Sequence, residues 1–160
     1  RVSECAELDL SPGLDELDSG WVRVWGKGQK QRLAPVGSKA LLAMKNWLMI
    51  RQEYAHNEEQ AVFINQRGGR FSVRSIQKNL DKRTLQAGLP TKMSPHRLRH
   101  ACATHVLESS GDLRAVQEIL GHANLSTTQI YTKLDLQHLA QVYDQAHPRA
   151  KKVHKKEGMD

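Results

Sequence analysis

Ser94-Pro95-His96-Arg97-Leu98-Arg99-His100-Ala101-Cys102-Ala103-Thr104-His105-Val106-Leu107-Glu108-Ser109-Ser110-Gly111 carries the clearest folding signals in the chain. Ser94 suits a helix N-cap, and Pro95 suits the first helical position because it lacks an N–H that would go unsatisfied there. Gly111 is a C-terminal stop. The expectation is a helix from Pro95 to Ser110. At about 100° per residue, His96, Arg99 and His100 share one face, while Leu98, Ala101 and Cys102 fall on the other and are expected to face the core. Free backbone N–H groups and the positive dipole end of the first turn attract phosphate. An arginine fork beside a histidine donor suits a phosphodiester whose charge grows on its non-bridging oxygens during attack. Taken by itself, the stretch reads first as an exposed basic helix turn.

Downstream, Asp112 caps a helix through Leu120, Gly121-His122 breaks it, and Ser126 caps a short helix holding Tyr131. A last amphipathic helix is expected over residues 135–146, with Leu136, Leu139, Ala140 and Tyr143 on one side and Pro148 beyond its end. Upstream, Ser72 caps a helix carrying Val73, Ile76 and Leu80 that stops at Gly88. Ala61 to Ile64 is a short apolar strand, and Ser38 caps a helix through about Tyr54 with Leu41, Met44 and Leu48 on one stripe. Trp21 to Trp25 and Arg32 to Val36 form a hairpin around the Gly26-Lys27-Gly28 turn. Val2, Cys5 and Leu8 recur at helical spacing until Ser11-Pro12-Gly13 ends the pattern. The fold class is therefore α+β, mostly helical, with a small antiparallel β-hairpin.

Among 160 residues, 24 Lys and Arg against 17 Asp and Glu leave a net charge of +7. That favours an anionic partner, nucleic acid or an acidic membrane surface. No stretch reaches the roughly 20 apolar residues that span a bilayer, and none has the order of a signal peptide, so a cytoplasmic protein is expected. Cys5 and Cys102, without metal-type spacing, read as reduced core thiols. Because the first residue is Arg1 and the chain opens inside a helical pattern, an N-terminally truncated fragment is expected.

Three groups of residues occur in order: Arg1-Val2-Ser3-Glu4, then Ser94-Pro95-His96-Arg97-Leu98-Arg99-His100, then Leu120-Gly121-His122 with Ser126-Thr127-Thr128-Gln129-Ile130-Tyr131. In that order they closely resemble the catalytic domain of the tyrosine recombinases (integrase family), from Arg1 to about Ala150. The segments 135–140 and 143–150 are most similar to the branch of the family that resolves bacterial chromosome dimers. The resemblance implies a catalytic domain over 1–146 without its N-terminal DNA-clamping domain, and a basic tail over 147–160. It implies that Tyr131 attacks the scissile phosphate, leaving a 3′-phosphotyrosyl link and a free 5′-hydroxyl. Arg1 and Arg99 would bind the non-bridging oxygens, His96 would accept or share the tyrosine proton, and His122 would hydrogen-bond the phosphoryl group. Lys27 matches the lysine that protonates the departing 5′-oxygen. The helix that begins at Ser72 would lie at the DNA major groove, with Arg74 and Gln77 reading bases and Lys78 contacting phosphate. The implied partners are double-stranded DNA, a paralogous recombinase and further copies of the chain in a tetramer, with the last helix packed on a neighbouring protomer or on its own domain. No metal and no cofactor is called for, because the arginines can supply the positive charge.

Each residue also has a plainer reading. Tyr131 could be a half-buried aromatic, as Tyr54 and Tyr143 are taken to be, and His122 a helix-end residue bonding orphan carbonyls. Lys27 could be a solubilising hairpin-tip lysine, with Lys30 its equal on charge. Arg74, Gln77 and Lys78 could be a solvated helix face. His96 and His100 lie at i, i+4, but the glutamate of the zinc-protease pattern and a third ligand are missing. Four other functions remain as alternatives: a phage or mobile-element integrase, a type IB topoisomerase-like enzyme, a metal-dependent nuclease, and a catalytically silent DNA-binding module.

Overall fold

A computed structural model describes residues 1–121 together with Gln141, Val142, Asp144 and Gln145. The chain divides into two compact units, Arg1–Arg99 and a second beginning at His100.

In the first unit, helix α1 (Val2–Ala6) leads to a 3₁₀ turn over Leu17–Ser19 and an antiparallel pair of strands, β1 (Trp21–Trp25) and β2 (Gln31–Pro35). The register sets Val22 opposite Ala34 and Val24 opposite Arg32. Strand alternation sends Val22 and Val24 into a core shared with Leu8, Leu17 and Val62. Helix α2 (Ser38–Arg51) lays Leu41, Met44 and Leu48 against that core, as their spacing predicts. Its N-cap is Gly37, not the expected Ser38, and it ends before Tyr54. Ser38 already lies inside the helix, while Gly37 holds the extended conformation that an N-cap requires.

The stretch 61–64 does not form the expected continuous strand. It makes isolated bridges, Asp9 with Ala61 and Ile64 with Arg70, because two different segments pair with its two ends. Trp47 Nε1 donates to the Val62 carbonyl at 2.8 Å, tying α2 to this buried segment. Arg70 Nη1 donates to the Ala6 carbonyl at 3.0 Å, satisfying an orphan acceptor at the end of α1. Helix α3 (Val73–Gln86) starts as expected, with Ser72 Oγ accepting from Ser75 N–H at 3.2 Å. Thr84, buried on α3, accepts from the Met93 N–H at 3.3 Å and so holds the connector to the next helix.

Helix α4 (Pro95–Ser110) has the predicted bounds. Ser94 Oγ accepts from the Arg97 N–H at 3.2 Å, and Gly111 ends the helix at φ +63°. In the second unit, Asp112 Oδ1 accepts from Ala115 N–H at 2.9 Å to start helix α5 (Leu113–Leu120), and Gly121 terminates it in the left-handed conformation. Val106 and Val116 form a second core with Cys102, Leu120 and Val142 packed against it.

Two inward assignments are corrected. Leu98 is exposed, so the apolar side of α4 begins with Ala101 and Cys102, which are half-buried. Cys5 is exposed as well, although Leu8 of the same stripe is buried and Val2 half-buried, because α1 turns Glu4 and Ala6 inward beside them. The expected helices around Tyr131 and over 135–146, and the tail over 147–160, lie outside the described residues, apart from the helical residues Gln141, Val142, Asp144 and Gln145.

Candidate active site

Among the described residues, the site expected from sequence draws on two places in the first unit: the junction of α1 with the hairpin, and the first turn of α4.

At the junction, the carboxylate of Glu4 is buried at 5% exposure. Its Oε2 accepts from the Arg1 backbone nitrogen at 2.6 Å and from Arg32 Nη2 at 2.6 Å, and its Oε1 accepts from Arg32 Nε at 3.3 Å. Burial alone would raise the Glu4 pKa. The hydrogen bonds from the Arg1 backbone nitrogen and from Arg32 outweigh it, so the carboxyl is held below its ordinary value. Above this pair the hairpin tip is closed by Gly26 N–H donating to the Lys30 carbonyl at 2.8 Å. Gly28 takes φ +75° and Gln29 φ +61°, which leaves Lys27 exposed at the apex. A Cβ on Gly26 would lie 3.8 Å from Arg1 Nη1 and 3.8 Å from Glu4 Oε1. The Arg1 guanidinium therefore stands beside Gly26, the residue that precedes Lys27.

On α4, His96 is exposed and Arg99 is half-buried, three positions apart on one face as the helical period requires. The first turn offers fewer backbone donors to an anion than expected: Pro95 has no N–H, and that of Arg97 is taken by Ser94 Oγ. The attraction for phosphate here rests on the side chains. Arg74, Gln77 and Lys78 are all exposed on the opening turns of α3. His122 and Tyr131 lie outside the described residues.

Glu4 and Arg32 are not among the site residues expected from sequence. Glu4 lies three residues after Arg1, and that spacing is its signal. Arg32 gave none, since an arginine on a short hairpin strand reads as solvated. Among the described residues no three His, Cys, Asp or Glu side chains gather into a metal-holding group, and no helix is long and apolar enough to cross a membrane.

The model of the phage integrase family matches residues 1–138. The chain is 56% identical over 152 residues to the tyrosine recombinase XerC of Actinobacillus pleuropneumoniae serotype 7, covering 95% of this chain and 49% of that protein. It thus spans about half the length of the curated relatives it matches. Its structure is similar to that of XerA recombinase, with a TM-score of 0.71 and 33% identity over 93% of this chain and 54% of the other. It is also similar to XerH site-specific recombinase bound to its difH substrate in a pre-cleavage complex, with a TM-score of 0.62 and 26% identity over 98% of this chain and 41% of that one.

Proposed function

The chain belongs to the phage integrase family, and we propose that it cuts and rejoins double-stranded DNA at a specific site through a 3′-phosphotyrosyl bond to Tyr131. The tyrosine oxygen attacks the scissile phosphorus and the 5′-oxygen departs. Attack of a 5′-hydroxyl on the phosphotyrosine reverses the step, so the diester energy is kept and ATP is not needed. Arg1 and Arg99 hold the non-bridging oxygens where charge accumulates. His96 accepts or shares the tyrosine proton, and His122 donates a hydrogen bond to the phosphoryl group. Lys27 delivers a proton to the 5′-oxygen, which an ammonium on a flexible stem can reach and without which an alkoxide leaves poorly.

The observation that carries this reading is the Arg1 guanidinium beside Gly26, next to Lys27. A group suited to the non-bridging oxygens and one suited to the leaving oxygen are brought to one end of the hairpin. On α3, the exposed Arg74 and Gln77 are suited to base edges and Lys78 to backbone phosphate. The likeness to XerC supports work in chromosome dimer resolution; we also propose a cytoplasmic location and a tetramer that includes a paralogous recombinase, with the 135–146 segment packing on a neighbouring protomer or on its own domain.

The test is incubation with nicked DNA suicide substrates followed by denaturing electrophoresis. The parent protein should form a covalent adduct. Tyr131→Phe should form none while binding DNA nearly as well, because the ring remains and only the nucleophile is lost. An adduct in that variant would sink the assignment.

A further inference from the structure

Glu4 and Arg32 are both charged, and the fold withdraws both from solvent, with side-chain exposures of 5% and 20%. Arg32 reaches the carboxylate with two nitrogens, Nη2 at 2.6 Å and Nε at 3.3 Å. A planar guanidinium held at two points admits one orientation, whereas a single-point ion pair can swivel. The same carboxylate accepts from the Arg1 backbone nitrogen, so it ties the start of α1 to β2. Strand β2 is in turn locked to β1 with Arg32 opposite Val24, and Lys27 rides on the tip between the two strands. Opening this link would leave a desolvated carboxylate short of its partner, which disfavours sliding of the helix against the hairpin.

Resting on the reading that Arg1 and Lys27 act on the scissile phosphate, we propose that Arg32 is a positioning residue for the reaction. Through Glu4 it holds the start of α1 and the hairpin tip in one frame, so the Arg1 guanidinium and the Lys27 ammonium meet the phosphodiester at a fixed spacing. Arg32 acts through these groups and transfers no proton of its own.

The experiment is single-turnover cleavage of nicked DNA whose scissile bridging atom is the ordinary 5′-oxygen or a 5′-sulfur. A sulfur leaving group departs as a thiolate and needs no proton. The parent protein, Arg32→Ala, Arg32→Lys and Lys27→Ala are compared at a temperature where thermal unfolding curves report each as folded, and DNA affinity is measured for each. Arg32→Ala should cleave the oxygen substrate about 10²-fold more slowly at nearly unchanged affinity, the scale of a misplacement of about 1 Å. Sulfur should recover part of that loss, and less than it recovers for Lys27→Ala, because Arg1 is displaced too. Arg32→Lys keeps the charge but not the two-point contact, so it should also be slow, and it carries the test if Arg32→Ala does not fold. If the parent forms no adduct, the recombinase reading falls and this role with it. If the parent cleaves, the positioning role alone is overturned by any of three results: a parental rate in Arg32→Ala, a loss equally deep on both substrates, or full activity in Arg32→Lys.

Discussion

Arg51 sets its guanidinium on the carbonyl oxygen of Ala61, with Nε at 2.9 Å and Nη2 at 2.6 Å. Nη2 also donates to the Glu59 carbonyl at 2.6 Å, and the side chain is buried. The last residue of α2 thus satisfies carbonyls of an irregular segment whose backbone pairing is limited to isolated bridges. Arg51→Leu leaves these acceptors without their donor, at about 1–3 kcal/mol each, so a loss of roughly 3 kcal/mol is expected. Urea unfolding measures it, with Arg51→Lys falling between the two. An unchanged midpoint would show that water replaces the guanidinium at no cost.

Glu4 makes stability depend on pH in a defined direction. Its folded pKa is depressed, so its contribution is present above the ordinary glutamate value of about 4.3 and is lost as pH falls through the lower folded value. The parent should therefore lose stability more steeply than Glu4→Gln, whose amide does not titrate, as pH falls below the ordinary glutamate value of about 4.3. Parallel stability curves for the two proteins between neutral pH and that acid range would contradict the pairing.

Two neighbouring positions at the hairpin tip should respond with opposite signs. Gln29 holds φ +61° with a side chain, a conformation that costs on the order of 1 kcal/mol outside glycine, so Gln29→Gly should stabilise by about 0.5 kcal/mol after the added chain entropy. Gly28→Ala, at φ +75°, should destabilise by roughly 1 kcal/mol although there is open space for its methyl. Thermal melts of the two variants decide whether the left-handed tip is native in solution.

The proposed division of labour between Lys27 and Arg99 separates on leaving-group chemistry. Lys27→Ala should slow cleavage of an oxygen-bridged substrate by about 10²-fold or more and regain most of the rate with a sulfur bridge. Arg99→Ala should cost about 3 kcal/mol or more in the cleavage step with either substrate, since the charge it holds is on non-bridging oxygens. Equal slowness of Lys27→Ala on both substrates would move the acid role to Lys30.

The starts and stops of α3, α4 and α5 are legible in the sequence, because their signals are local. Ser72, Ser94 and Asp112 each accept from an N–H three residues on, and Gly111 and Gly121 stop their helices in conformations that glycine adopts freely. The hairpin and the shared face of His96 and Arg99 are legible there too, since they follow from fixed periods. Packing between separate segments set the inward turn of Glu4, the exposure of Cys5 and the seat of Arg51 on the Ala61 carbonyl. Two of these depend on a group outside the local pattern: Arg32 for Glu4, and the 59–61 carbonyls for Arg51. A charged side chain is read as solvated until its partner is known, since burying it is favourable only once that partner is in place. The meeting of Arg1 with the hairpin tip is of the same kind, because no local pattern records which two distant elements the core will bring together.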